Sequence, residues 1–224
     1  MRYEVAARIF FAAVRAARHH REFSTLDHRQ QNEILRRGWA AAFVLRAAIW
    51  PVDLADFRKR GIVDDRADDG QRRALATARA AISSLRPDRV EFSVLETLVL
   101  CRPGKNPSST VSLSSLSPNS QRTESFEFSR SLSIQFSFLL FSSRPVEIAE
   151  TSSAVRLTSR AADAAVETLA RHVADRTVSS SVRMAKLMLV LPVLTASCPR
   201  QLANHLFAPV IRDVDIERVI ASVR

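Results

Sequence analysis

Cysteine is almost absent from this chain: Cys101 and Cys198 are the only two in 224 residues. Two thiols cannot build a disulfide framework or a zinc finger, and their scarcity fits a reducing compartment. Glycine is nearly as rare, at four residues, and proline contributes nine. So few turn-forming residues argue against a loop-rich β fold. Gly104-Lys105 has neither the upstream glycine nor the following Ser/Thr of a phosphate loop. No run approaches the roughly 18 consecutive apolar residues of a membrane-spanning helix. Met1-Arg2-Tyr3-Glu4 lacks the opening of a signal peptide. The expectation is a soluble, intracellular chain with no membrane partner.

Lysine is the third scarcity. Only Lys59, Lys105 and Lys186 stand among 33 basic residues, although the net charge is +10. The charge comes from arginine scattered through an Ala-rich chain, whereas a phosphate footprint would cluster on one face. A solvated, Arg-biased surface is expected rather than a nucleic-acid interface. Hydrophobic residues make up 46%, enough to bury a core and too many for a disordered chain.

Catalytic constellations are missing too. His19, His20, His28, His172 and His205 have no metalloprotease spacing and no Cys partner. No Gly-x-Ser-x-Gly elbow is present. Asp64, Asp65, Asp68 and Asp69 lack the order and closing Glu of a calcium loop, so residues 53–70 read as a solvated loop. No catalytic, metal or cofactor residue is assigned, and the chain is not expected to be an enzyme.

What is present is helical spacing. Val5, Ile9, Phe10, Val14 and Ala17 form one stripe over residues 3–20. Phe23 to Leu26 read as a connector. Asp27, with Gln30 three residues on, makes a capping box for a second helix that ends at Pro51. That helix is apolar nearly all round from Trp39 to Leu45, the mark of a central helix. Leu75, Ala78, Ile82 and Leu85 predict a helix over 71–85. Asp88 and Glu91 form a second capping box, for a helix stopping near Pro103. Helical spacing resumes near Val155. One long apolar helix is expected over 182–207, kinked at Pro192, and a last short helix capped by Asp215. The fold class is all-α and multi-layered.

Residues 104–145 differ in composition. From Gly104 to Ser143 there are fourteen Ser, with Phe126, Phe128, Phe136, Phe138 and Phe141. A Ser-rich stretch buries little surface, so a low-complexity, disordered insert is expected. An in-frame retained intron would encode such text: Gly104-Lys105 can be written GGTAAG, and Phe136 to Ser143 suits a pyrimidine-rich tract. A natural insertion is the alternative. The domain plan is thus 1–103 and 146–224 as two parts of one domain, with 104–145 between them.

Four blocks in order carry a resemblance. Residues 4–52 hold a basic residue, Arg18, five places before Phe23, then Ser24, Leu26, Gln31, Ile34-Leu35 and Gly38-Trp39. Glu91 and Leu95 sit in "RVEFSVLETLVLCRP" (89–103). Arg183, Lys186 and Leu191-Pro192 sit in "VRMAKLMLVLPVLTASCPRQLANHLF" (182–207). The chain closes on "DVDIERVIASVR". These blocks resemble the ligand-binding domain of nuclear receptors. "ARIFFAAV" and "AAIWPVDL" are most similar to the tailless and photoreceptor-specific group.

The resemblance implies a three-layer antiparallel helical sandwich, here without the usual opening helices. It implies a nuclear transcription regulator, corepressor-leaning, that recruits coregulator proteins through short amphipathic helices. Any ligand would be a small lipophilic molecule of unknown identity. Homo- or heterodimerisation would use residues 183–206. The family's DNA-binding module needs eight zinc-ligating cysteines, so direct DNA binding by this chain is not expected. The other reading is a standalone all-α interaction module.

A partner helix with Leu at i, i+3 and i+4 needs an apolar groove, a cation at its carbonyl end and an anion at its N–H end. By resemblance the groove comprises Phe11, Val14, Arg18, Gln31, Arg36, Val219, Ile220 and Ser222. Phe23, Leu26, Trp39, Glu91 and Arg183 are fold-signature positions. Arg18 stands where the family has Lys. Ser222 stands where it has the acid, and a hydroxyl cannot replace that charge. Asn32 stands where an apolar residue is usual. Ligand-driven coactivator binding is therefore expected to be weak or absent. Without opening helices, part of the first helix's apolar face is expected to be exposed.

Overall fold

A computed structural model describes residues 2–55, 66–101, 151–176, 179–207 and 215–223. Among these residues every regular element is a helix: α1 (Arg2–His19), α2 (Arg21–Ser24), α3 (His28–Ile49), α4 (Arg66–Leu85), α5 (Arg89–Cys101), α6 (Thr151–Arg176), α7 (Ser180–Leu194), α8 (Pro199–Leu206) and α9 (Ile216–Ser222). Met1–Gly104 and Ser153–Arg224 make up one compact unit, and Lys105–Ser152 a second. Apart from the first two residues of α6, that second unit and the expected insert lie outside the described residues.

The first unit is organised around α3. Asp27 caps it: the Gln30 backbone N–H donates to Asp27 Oδ1 at 2.8 Å, and the Gln30 side chain accepts from the Asp27 N–H at 3.3 Å. Every residue from Gly38 to Leu45 is buried. A helix with no polar stripe must be covered on all sides. Here α1, α4, α5, α7, α8 and α9 all pack on it. Gly38 sets how near α5 comes. A Cβ there would lie 3.2 Å from Leu100 Cα and 3.4 Å from the Val99 and Leu100 carbonyl oxygens.

Aromatic rings tie α1, α3 and the end of α8 together. Phe10 meets Trp39 edge-on at 5.8 Å and Phe207 at 5.4 Å, and Phe207 meets Phe43 at 5.8 Å. The apolar stripe of α1 is thereby covered. Ile9, Phe10, Ala13, Val14 and Ala17 are all buried, and Phe11, 37% exposed, is what remains of the expected open face. The face closes because α3 and α8 supply the cover.

Three local expectations need correction. The reading of 53–70 as a loop stops too late, because α4 begins at Arg66. Acidic residues early in a helix offset the exposed N–H dipoles, and Asp69 pairs with Arg73 one turn on. Phe23 and Ser24, read as connector, belong to the one-turn α2. The single long helix expected over 182–207 is two helices, α7 and α8, bent by 66°. Pro192 lies inside α7 without ending it. The break comes instead before Pro199, which holds Cys198 extended (φ −71°, ψ 123°) and opens α8. No single described helix is long and apolar enough to cross a membrane.

The end of α4 shows what scarce glycine means locally. Arg86 sits at φ +46°, where glycine is usual, and its N–H donates to the Ile82 carbonyl at 2.9 Å. We expect Arg86→Gly to raise stability by about 0.5–1 kcal/mol, since it relieves the left-handed strain. Gly38→Val should cost about 2 kcal/mol or more, because backbone atoms of α5 cannot yield as a side chain would. Urea unfolding of both variants checks the pair.

Candidate partner-helix groove

Arg18 lies in the last turn of α1 and is only 7% exposed. A buried guanidinium must find acceptors, because desolvation penalises its charge; burial holds its pKa below the ordinary value. It finds three. Nη1 donates to Gln31 Oε1 at 2.9 Å. Nη2 donates to Asn32 Oδ1 at 2.6 Å and to the Ile220 carbonyl at 2.9 Å. Gln31 is fixed in turn, its Nε2 donating to the carbonyls of Phe23 at 2.9 Å and Leu26 at 3.3 Å. The amide of Asn32, out of place in an apolar groove, is thus explained as the guanidinium's acceptor.

The carbonyl that Arg18 holds belongs to α9. Asp215 caps this helix by accepting from the Glu217 N–H at 3.0 Å. Ile220 is 1% exposed, and Ile216 and Val219 pack against the core. Ile216, Val219 and Ile220 repeat the i, i+3, i+4 spacing of a groove-binding helix. At its N-terminal end Glu217 lies 3.8 Å from Arg36, which also pairs with Glu33 at 3.1 Å. Both pairs are exposed and contribute little to stability. Ser222 turns its hydroxyl onto the Val219 carbonyl of its own helix, at 2.8 Å.

The groove residues therefore do not all meet. Arg18, Gln31 and Ile220 come together in one buried network. Val14 is 1% exposed, in the core, while Phe11 stays partly open. Trp39 and Phe23 are buried as well, and Leu26 is half-buried against the same core. On α7, Leu187, Val190, Leu191 and Leu194 face inward, whereas Val182 and Leu189 are exposed beside Lys186.

Glu91 and Arg183, 92 residues apart in sequence, form a two-point ion pair. Arg183 Nε donates to Glu91 Oε1 at 2.8 Å and Nη2 to Oε2 at 2.5 Å. Arg183 Nη1 also donates to the Leu85 carbonyl at 2.7 Å. Hydrogen bonds from Arg183 hold the Glu91 carboxyl below its ordinary pKa, against the opposing effect of burial. Nearby, His172 Nε2 lies 2.7 Å from Asp88 Oδ2, tying α6 to the N-terminus of α5. Burial pushes Glu96 upward in spite of its partner Arg46, whose guanidinium also lies over the Phe92 ring at 5.5 Å. The His172–Asp88 and Arg46–Glu96 ties were not singled out from the sequence; no motif marks them.

Among the described residues no group of three His, Cys, Asp or Glu could hold a metal ion. No protein-family model matches the chain. No curated protein matches it either.

Breaking this half-buried pair leaves Arg183 without its partner. Glu91→Gln should destabilise the fold by about 1–3 kcal/mol near neutral pH. The pH dependence has a definite sign. A carboxyl whose folded pKa lies below the unfolded value of about 4.3 stabilises above that value. Its contribution is lost as pH falls from there through the folded pKa. Glu96, shifted upward, acts in the opposite sense. Thermal melts from pH 7 to pH 3 should show the Glu91→Gln penalty shrinking below about pH 4.

Proposed function

We propose that the chain is a nuclear-receptor-type ligand-binding domain acting in the nucleus. It regulates transcription, leaning toward corepression, by binding short amphipathic helices of coregulator proteins. In this reading the helices stack as a three-layer sandwich with α3 in the middle layer. The reading rests on one observation: the buried guanidinium of Arg18 grips the carbonyl end of a short apolar helix. That is the cation a groove for such helices requires. The helix gripped is the chain's own α9, so a partner must displace it. Arg18 serves this purpose better than Lys would, since its planar fork reaches two amide acceptors and the carbonyl together.

The missing clamp acid follows from the same geometry. With α9 in the groove, Asp215 meets the helix's own N–H groups, and Ser222 has no partner helix to hold. The unaltered chain should bind a Leu-x-x-Leu-Leu peptide more weakly than micromolar. Ile220→Glu should release α9 and raise peptide affinity at least tenfold, about 1.4 kcal/mol. Adding Arg18→Ala should remove that gain. Fluorescence anisotropy with labelled coactivator and corepressor peptides reads all three. Absence of binding by the released chain, or binding indifferent to Arg18, would sink the proposal.

A further inference from the structure

A cleft of about 320 Å³ opens where the start of α3, the end of α5 and the first half of α6 meet. None of the groove residues discussed above lines it. Its walls are mainly apolar: Phe23, Leu26 and Ile34 on one side, Leu100 beneath, Leu157 and Ala161 across. This volume is at the lower end of the range for small-molecule sites, which are mostly apolar with a few placed polar groups.

Among the described residues that line the cleft, Arg160 carries a full positive charge and none is acidic; the other polar groups are His20 and the hydroxyls of Thr25, Thr97 and Thr158. His20 Nε2 is engaged by Thr97 Oγ1 at 3.0 Å and Ser93 Oγ at 3.3 Å, so it serves as wall. Among the described residues, α6 pairs Arg171 with Glu167, and His172 and Arg176 with Asp88; Arg160 belongs to none of these pairs. Arg160 is an exposed cation at the edge of an apolar pocket. Such a guanidinium suits a carboxylate, which it can hold with two parallel hydrogen bonds.

We propose that this cleft binds a small amphipathic carboxylate, with its hydrocarbon or aryl body against Phe23, Leu26 and Leu157 and its acid on Arg160. The site is independent of the coregulator reading and would stand if that reading failed.

The test is calorimetric titration of the full chain with decanoate, and with decan-1-ol as the neutral comparator. Decanoate should bind with a Kd of about 10–100 μM, and decan-1-ol about tenfold more weakly. Arg160→Gln should erase the difference between the two. Ala161→Trp should fill the cleft and abolish binding of both. Ala164→Trp, on the same wall but exposed, repeats the block if the first variant fails to fold. Decanoate binding that survives both Trp variants would place the ligand elsewhere and overturn the site. Equal affinity for acid and alcohol, or an unchanged difference in Arg160→Gln, would overturn the carboxylate assignment. No heat up to millimolar decanoate would end the proposal.

Discussion

The middle of α3 has no side to give to water, and the rest of the unit is arranged to accommodate that. Burying Trp39, Phe43, Val44 and Leu45 on one helix stabilises the fold by several kcal/mol in total. It does so only if six other helices reach α3. Gly38 allows one close approach, backbone against backbone at α5. The aromatic cluster at Phe10, Trp39 and Phe207 completes the cover by drawing α8 against α1.

Crowding around α3 has an electrostatic consequence. Helices that converge on one axis bring their ends inward, and helix ends carry unpaired carbonyls. Arg18 is buried with α1 at such an end, and the α9 carbonyl is among the acceptors that make its burial tolerable. The two needs satisfy each other: α9 gains a cap, and the cation gains an acceptor. In the function proposed above, a partner helix would take the place of α9 on this cation.

How much of this could be read from the sequence depended on range. Capping boxes at Asp27 and Asp88 and the apolar spacing of α1 are local, and they appear in the structure within a residue or two. The early start of α4 is not apparent in the sequence, because four aspartates and a glycine resemble a loop unless the helix dipole is taken into account. The split between α7 and α8 is not apparent either, because Pro192 and Pro199 offer competing break points. Proline tolerated near the end of a helix and proline opening the next one leave similar traces in a sequence. Partners separated by long stretches, such as His172 with Asp88 or Arg46 with Glu96, leave no pattern at all. For the candidate groove, Arg18 and Gln31 were legible. Their bonding to one another, and the acceptor role of Asn32, depend on the turn of chain between α1 and α3.

Scarce glycine and abundant arginine then turn out to be connected. A helix commonly ends with glycine in the left-handed conformation, which lets the chain turn back and satisfy its last carbonyls. This chain has few glycines to spend on that task, and α4 ends with Arg86 in the strained position instead. The carbonyls are met from outside. Arg183 donates to Leu85 at the end of α4. Arg79 donates to Trp50 at 2.7 Å, just beyond α3. Arg18 donates to Ile220 near the end of α9. Each of the three comes from a different helix than the one it caps, so each cap is also a tertiary contact. Lysine, a compact charge without the planar fork, is less suited to holding a carbonyl and a second acceptor in one fixed geometry. A share of the net charge of +10 is thereby committed to the fold's internal wiring rather than offered to a polyanion.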